Sequence, residues 1–150
     1  MYPDFKELLL AFNAHNVEYL IVGAHALAAY GHVRATKDMD VWVRPELPNA
    51  QNVIRALSDF GASLSDLTAE DLSRKDTIFQ IGVPPLRIDI ITDIEGVEFS
   101  EAWPDRVETS FGGVPTFVIS RHHLIMNKKT AARLQDLADV EQLESTKDQS

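Results

Sequence analysis

Apolar side chains at Phe5, Leu8, Leu9 and Phe12 recur at helical spacing behind Asp4, a residue suited to cap a helix starting near Phe5. His15-Asn16 ends that pattern. Tyr19-Leu-Ile-Val22 is a continuous apolar run of strand length, and Gly23 breaks it. Ala24 to Tyr30 is rich in alanine and precedes Gly31, which predicts a short helix with a glycine stop. A polar loop over His32 to Lys37 leads into a second predicted strand, Asp38-Met-Asp-Val-Trp-Val43. Beyond Pro45, a helix opening at Pro48 or Asn49 and running to about Asp59 turns Val53, Ile54 and Leu57 inward and stops at Gly61.

The polar stretch Ala62 to Asp76 reads as loop with a helical turn at Thr68 to Leu72. Thr77 to Ile81 and Leu86 to Ile91 form a predicted hairpin around Gly82-Val-Pro-Pro85. A second hairpin joins Arg106–Phe111 to Thr116–Ile119 around Gly112-Gly113. Ser120 caps the C-terminal helical region, two helices or one bent helix from Arg121 to about Leu143, with a polar tail from Glu144. Helices interleaved with strands and hairpins, without repeats, define a mixed α/β (α+β) sheet flanked by helices in one domain spanning 1–150.

Composition narrows the function. With no cysteine, disulfides, thiolate metal sites and thiol catalysis are excluded, which fits an intracellular protein. The longest run low in polar side chains, Tyr19 to Tyr30, falls short of a membrane span, and the N-terminus lacks a signal-peptide pattern; a soluble, cytoplasmic protein with no membrane partner is expected. The net charge of −9 is concentrated in residues 45–110, with five Lys/Arg against thirteen Asp/Glu. That balance provides no general footprint for a nucleic-acid backbone. The absence of Gly-x-x-x-x-Gly-Lys-Ser/Thr excludes a P-loop ATPase.

The candidate chemistry lies in three acids. Asp38 and Asp40 share a face of their strand while Met39 turns away. Two carboxylates beside Val41, Trp42 and Val43 repel and desolvate each other, a cost that a divalent cation relieves. Asp89 occupies the centre of Leu86-Arg-Ile-Asp-Ile-Ile91, where an acid requires a partner or a metal. Three such acids converging could hold two metals for in-line phosphoryl or nucleotidyl displacement. The plainer alternative for each is an exposed acid or an ion pair, as of Asp89 with Arg87 or Arg34.

Gly23-Ala24, the run Arg34-x-Thr36-x-Asp38-x-Asp40, Asp89, and the block from Lys129 to Arg133-x-x-Asp136-x-x-Asp139 together resemble the polymerase-β-like nucleotidyltransferase superfamily in its minimal form. Within it, the chain resembles the toxin-like AbiE-type nucleotidyltransferases of toxin–antitoxin systems, over about residues 17 to 143. The resemblance implies transfer of a nucleoside monophosphate from a nucleoside triphosphate (NTP) such as ATP to an acceptor hydroxyl on a protein, a tRNA or a small molecule, with Mg²⁺ or Mn²⁺ as cofactor and a cognate antitoxin as a possible partner. It further implies that Asp38 and Asp40 ligate both metals. Asp89 would bind the metal nearer the acceptor and assist deprotonation of the attacking hydroxyl. Gly23 would let the backbone approach the triphosphate, with amides of the following helix as donors. Many members carry a serine where this chain has Ala24, so only backbone donors remain there.

Cations must balance the triphosphate, and Arg34, Lys37, Lys128, Lys129 and Arg133 are the candidates, with Thr36 beside them. On one continuous helix Lys129, Arg133 and Asp136 would fall on a single stripe, as nucleotide ligands or as a surface ion-pair ladder. Adjacent His122 and His123 diverge too far on a helix to share a metal. His25 and His32 flank the glycine helix, and Ser120 reads as a cap. The alternatives to an enzyme of this kind are a non-catalytic binding or assembly partner of the same fold, which Ala24 favours, and a hydrolase using the same carboxylates.

Overall fold

The structure is a computed structural model that describes residues 3–32, 38–82 and 86–145. A six-stranded sheet runs through it in the order β3-β4-β2-β1-β6-β5. Its strands are β1 (Tyr19–Val22), β2 (Asp38–Val43), β3 (Ile78–Ile81), β4 (Arg87–Ile91), β5 (Val107–Phe111) and β6 (Val114–Val118). β2 lies between β1, to which it is antiparallel, and β4, to which it is parallel. The sheet is therefore mixed, as the sequence predicts.

The helices are α1 (Pro3–Ala14), α2 (Gly23–Ala29), α3 (Leu47–Phe60), α4 (Ala69–Leu72), α5 (Phe99–Ala102), α6 (Arg121–Ala131) and α7 (Leu134–Ser145). In α1, Phe5, Leu8, Leu9 and Phe12 are the buried face, as their spacing requires. The predicted turn near Thr68 is α4, closed by a capping box between Thr68 and Asp71. α3 stops at Gly61, whose left-handed φ of 93° carries the C-cap.

Two segments depart most from the sequence expectation, each for a local reason. β6 begins at Val114 and runs through Pro115, earlier than Thr116. The proline lies opposite Ser110 of β5, and β6 meets β1 only further on, at Val118, so no ladder bond to β1 is lost there. The segment after β4 carries α5 and a short 3-10 turn, Trp103–Asp105, where no element is predicted. These exist to bring Phe99 onto Trp42, rings edge-on at 5.0 Å, and Trp103 stacked on Phe99 at 5.6 Å. Of the two forms predicted for the C-terminal region, two helices is the one present, because Ala132 takes a left-handed φ of 56° and ends α6.

Residues on β2 alternate as the sequence implies. Met39, Val41 and Val43 are fully buried on one face, while Asp38 and Asp40 share the other with buried Trp42. No helix among the described residues is long and apolar enough to cross a membrane.

Candidate active site

Strand register determines how the acids meet. In the parallel pair of β2 and β4, Asp40 stands opposite Asp89 and Asp38 opposite Arg87. Neighbouring strands lie about 4.8 Å apart, so the Asp40 and Asp89 side chains are neighbours on one face. All three acids therefore share a face, and Arg87 joins them. The Arg87 guanidinium reaches Asp38 Oδ2 at 3.4 Å and Asp89 Oδ1 at 3.3 Å. The contact with Asp89 lacks hydrogen-bond geometry, and both Arg87 Nε and Asp89 Oδ1 are buried with no hydrogen-bond partner. The ion pair named as the plainer alternative is thus present in a loose form. It leaves an acceptor oxygen unsatisfied, which is costly in a buried position.

Gly23 completes the arrangement. In the antiparallel pair of β1 and β2, Val22 stands opposite Asp40, so the next residue lies against the Asp40 carboxylate. A Cβ built on Gly23 would overlap Asp40 Oδ2 and lie 3.3 Å from its Cγ. The residue also holds φ at +69°, a region that L side chains avoid. Both facts demand glycine here. α2 begins at Gly23, without a side-chain cap at Val22.

The site titrates abnormally. Burial, then the charges of Asp89 and Asp38, push the Asp40 carboxyl up to about 6, against the opposing charges of Arg87 and Lys128. Burial also raises Asp89, with Arg87 opposing it and Asp38 adding to it. Burial lowers the His25 imidazole, which packs edge-on against Phe5 with ring centroids 5.4 Å apart.

A cleft of about 580 Å³ opens over these residues. Gly23, Asp40 and Asp89 form part of its wall, Ile78, Asp76, Asp93 and Glu95 another part, and Asn127, Lys128, Arg133 and Asp136 from the α6–α7 region close it. Its described lining holds six acids (Asp40, Asp76, Asp89, Asp93, Glu95, Asp136) and two cations (Lys128, Arg133). A turn centred on Gly96 holds the α6 wall in place. Asn127 Nδ2 donates to the Glu95 carbonyl at 2.9 Å, and Gly96 lies so close to Thr130 that a Cβ would come within 2.7 Å of the threonine Cβ.

The two lysines of α6 separate. Lys128 is buried at the cleft wall, its Nζ 2.8 Å from Asp139 Oδ2 and 3.5 Å from Asp136 Oδ1. Lys129 does not line the cleft; it is exposed and pairs with Glu144 at 2.9 Å. Because the chain breaks at Ala132, Lys129 and Arg133 do not share one helix stripe. Arg133 lines the cleft with an exposed side chain and donates through Nε to Asp136 Oδ2 at 2.7 Å. Burial opposes ionisation of Asp136, but hydrogen bonds and charge from Arg133, with Lys128, hold its carboxyl below the ordinary range. Ala24 is half-buried behind Gly23 and does not line the cleft. Arg34, Thr36 and Lys37 lie outside the described residues.

Among the described residues, no group of three His, Asp or Glu side chains is arranged to hold a metal ion. The donor set nevertheless suits a hard cation. Asp89 Oδ1 has no hydrogen bond, burial and the neighbouring acids oppose ionisation of Asp40, and Mg²⁺ needs only one or two carboxylates when phosphate oxygens complete its shell.

Ser120, His123 and Asp105 cluster without forming a catalytic triad. Ser120 Oγ and Asp105 Oδ2 approach the same nitrogen, His123 Nδ1, at 2.8 and 3.9 Å, so no relay passes across the ring. Ser120 is the N-cap of α6 and accepts from His123 N at 3.1 Å. Ser120→Ala is expected to lower stability in chemical denaturation by about 1 kcal/mol and to leave catalysis unchanged.

No protein-family model matches the sequence, and no curated protein matches it. The fold is one shared with nucleotidyltransferases. The chain is similar to the antibiotic-resistance factor ANT(2'')-Ia, with a TM-score of 0.65 and 15% identity over 95% of this chain and 82% of that one. It is similar also to the lincosamide antibiotic adenylyltransferase LnuA in its lincomycin-bound form, with a TM-score of 0.61 and 16% identity over 97% of this chain and 98% of that one. A Thermotoga maritima protein assigned as a nucleotidyltransferase gives a TM-score of 0.59 at 12% identity, over 97% and 91% of the two chains.

Proposed function

We propose that the protein transfers a nucleoside monophosphate from an NTP to a hydroxyl of a small-molecule acceptor, with Mg²⁺ or Mn²⁺ held by Asp40 and Asp89 and with Asp38 beside them. The observation that carries this reading is the register pairing of Asp40 with Asp89 against Gly23, at the wall of a cleft, on a fold shared with nucleotidyltransferases. A scaffold gains nothing from placing acids where burial and mutual repulsion raise their carboxyls.

In the reaction, the acceptor oxygen attacks the α-phosphorus, the bond to the β-phosphate bridging oxygen breaks, and pyrophosphate leaves. The bound cation would neutralise phosphate charge and polarise the reacting phosphorus–oxygen bonds. Asp89, with an unsatisfied oxygen at the centre of the site, would receive the hydroxyl proton. Gly23 lets the NTP approach without a side chain in the way, and Lys128 and Arg133 face the phosphate chain from the α6–α7 wall. Arg34, Thr36 and Lys37 would supply further contacts, by resemblance alone.

The charge of the cleft supports a small-molecule acceptor. Six acids against two cations in the described lining repel a nucleic-acid backbone and favour a hydroxylated acceptor that is neutral or cationic. That two of the similar proteins act on or bind antibiotics agrees with a small acceptor. Protein or tRNA as acceptor, and an antitoxin as partner, rest on the resemblance of Gly23-Ala24, the Arg34-to-Asp40 run and the Lys129-to-Asp139 block to toxin-like members. Use of NTP and Mg²⁺ agrees with a cytoplasmic protein.

The test is incubation with each α-labelled NTP, Mg²⁺ and a cell extract separated into protein, RNA and small-molecule fractions. Label is expected in the small-molecule fraction, with one pyrophosphate released per transfer. Label in protein or tRNA would move the acceptor to that class. NTP binding without transfer would make the chain a non-catalytic module, and release of phosphate in place of pyrophosphate would make it a hydrolase.

A further inference from the structure

We propose that Asp139, which does not line the cleft, is a positioning residue that fixes the ammonium of Lys128 as a binding point for the NTP triphosphate, a role that rests on the nucleotidyl-transfer reading. Lys128 and Asp139 belong to a set of four charges at the α6–α7 junction, of which Lys128, Asp136 and Asp139 are buried and Arg133 is exposed. Asp136 and Asp139 are both buried, at 3% and 1% exposure, and Lys128 at 7%. Arg133 engages Asp136 from the solvent side at 2.7 Å. That leaves Asp139 as the nearer partner of Lys128, with a hydrogen bond of 2.8 Å against an ion contact of 3.5 Å to Asp136. Gln135 Nε2 donates to the other Asp139 oxygen at 2.9 Å and so orients the carboxylate.

A lysine carries its charge on a flexible four-carbon stem and loses that freedom only where its surroundings fix the head group. Here one of the three ammonium donors is spent on Asp139, and the nitrogen is held where the cleft wall passes Lys128. A purely structural ion pair would have no need of this place. A buried pair is weak evidence for stability, because apolar residues of similar volume commonly serve as well. The position of Lys128 between Asp139 and the cleft is what a phosphate-binding lysine requires.

The experiment measures binding of Mg²⁺ with a non-hydrolysable ATP analogue to the full chain by calorimetry, alongside thermal melting. Asp139→Asn keeps the acceptor for Gln135 but turns an amide donor toward Lys128. It is expected to weaken binding by about 10- to 100-fold, the effect of losing a hydrogen bond to a charged group. Lys128→Met alone strands the buried Asp139 carboxylate and is expected to melt early. Lys128→Met with Asp139→Asn removes the buried pair together; the melting temperature is expected to recover while binding stays as weak as in Asp139→Asn. Gln135→Ala, at an exposed position, is expected to weaken binding a few-fold with the fold intact, and this variant carries the test if Asp139→Asn does not fold. Unchanged binding in Asp139→Asn, or in Gln135→Ala where that variant stands in, overturns the positioning role. Binding that recovers together with stability in the double variant also overturns it, since the pair would then be structural. A wild-type chain that binds no Mg²⁺–NTP overturns both the role and the nucleotidyl-transfer reading, whereas the other failures leave that reading standing.

Discussion

Asp40→Asn is expected to abolish nucleotidyl transfer and at the same time to make the metal-free protein more stable at pH 8. The two effects have one cause. Asp40 lies where burial and the charges of Asp89 and Asp38 push its carboxyl up to about 6 from an ordinary value of 3.8. Below about pH 4 the acid is protonated in both folded and unfolded chains and contributes no difference. Between about pH 4 and 6 the folded chain retains a proton that the unfolded chain has lost, and stability falls as the pH rises. Above the folded value both forms are ionised, and the folded state carries the full penalty of about 2–3 kcal/mol.

Asparagine removes the charge, so its melting temperature should exceed that of the wild type by several degrees at pH 8, and the gap should close toward pH 4. Transfer should fall about a thousandfold or more, because the variant loses a cation ligand whose contribution is several kcal/mol of transition-state stabilisation. Thermal melts across pH, with and without Mg²⁺, check both halves. Mg²⁺ with NTP should raise the wild-type melting temperature and should have little effect on the variant.

Gly23→Ala is expected to damage both stability and activity, the opposite pattern. An alanine there must adopt φ near +69°, at a cost of about 1–2 kcal/mol, and its methyl group must displace the Asp40 carboxylate. A loss of about 2–4 kcal/mol in denaturant unfolding is expected, with transfer falling about as far as in Asp40→Asn. Combining Gly23→Ala with Asp40→Ala removes the obstructing carboxylate. Stability should then recover to within the backbone cost, while activity stays lost. Failure of the double variant to recover would show that the obstruction is not at Asp40.

The sequence made the acids of the candidate site legible because strand alternation is a strong rule. Asp38 and Asp40 two residues apart on β2, and Asp89 central in β4, had to present carboxylates on predictable faces. That Asp40 would stand opposite Asp89 depends on the β2–β4 register, which comes from long-range pairing and has no local signature. Arg87 was visible as a partner for Asp89, but its bridge to Asp38 also required that register. The separation of Lys128 from Lys129 depended on where α6 ends, and Ala132 in a left-handed conformation carries no sequence mark of the kind a glycine would leave. α5 lay within reach of pattern reasoning, since Phe99, Ala102 and Trp103 recur at helical spacing, but so short a run sits below the length at which periodicity speaks. The acidic wall of Asp76, Asp93 and Glu95 comes from loop residues flanking β3 and β4, and only the tertiary fold brings them beside Asp89.

The most direct measurement is the binding of Mn²⁺, followed by electron paramagnetic resonance, in the presence of a non-hydrolysable NTP, to wild-type protein and to Asp89→Asn at pH 8. Uptake of Mn²⁺ by the wild type that depends on the nucleotide and is lost in Asp89→Asn is the expected result. Wild-type protein that takes up no Mn²⁺, or an Asp89→Asn variant that takes it up equally well, would contradict the paired-carboxylate site.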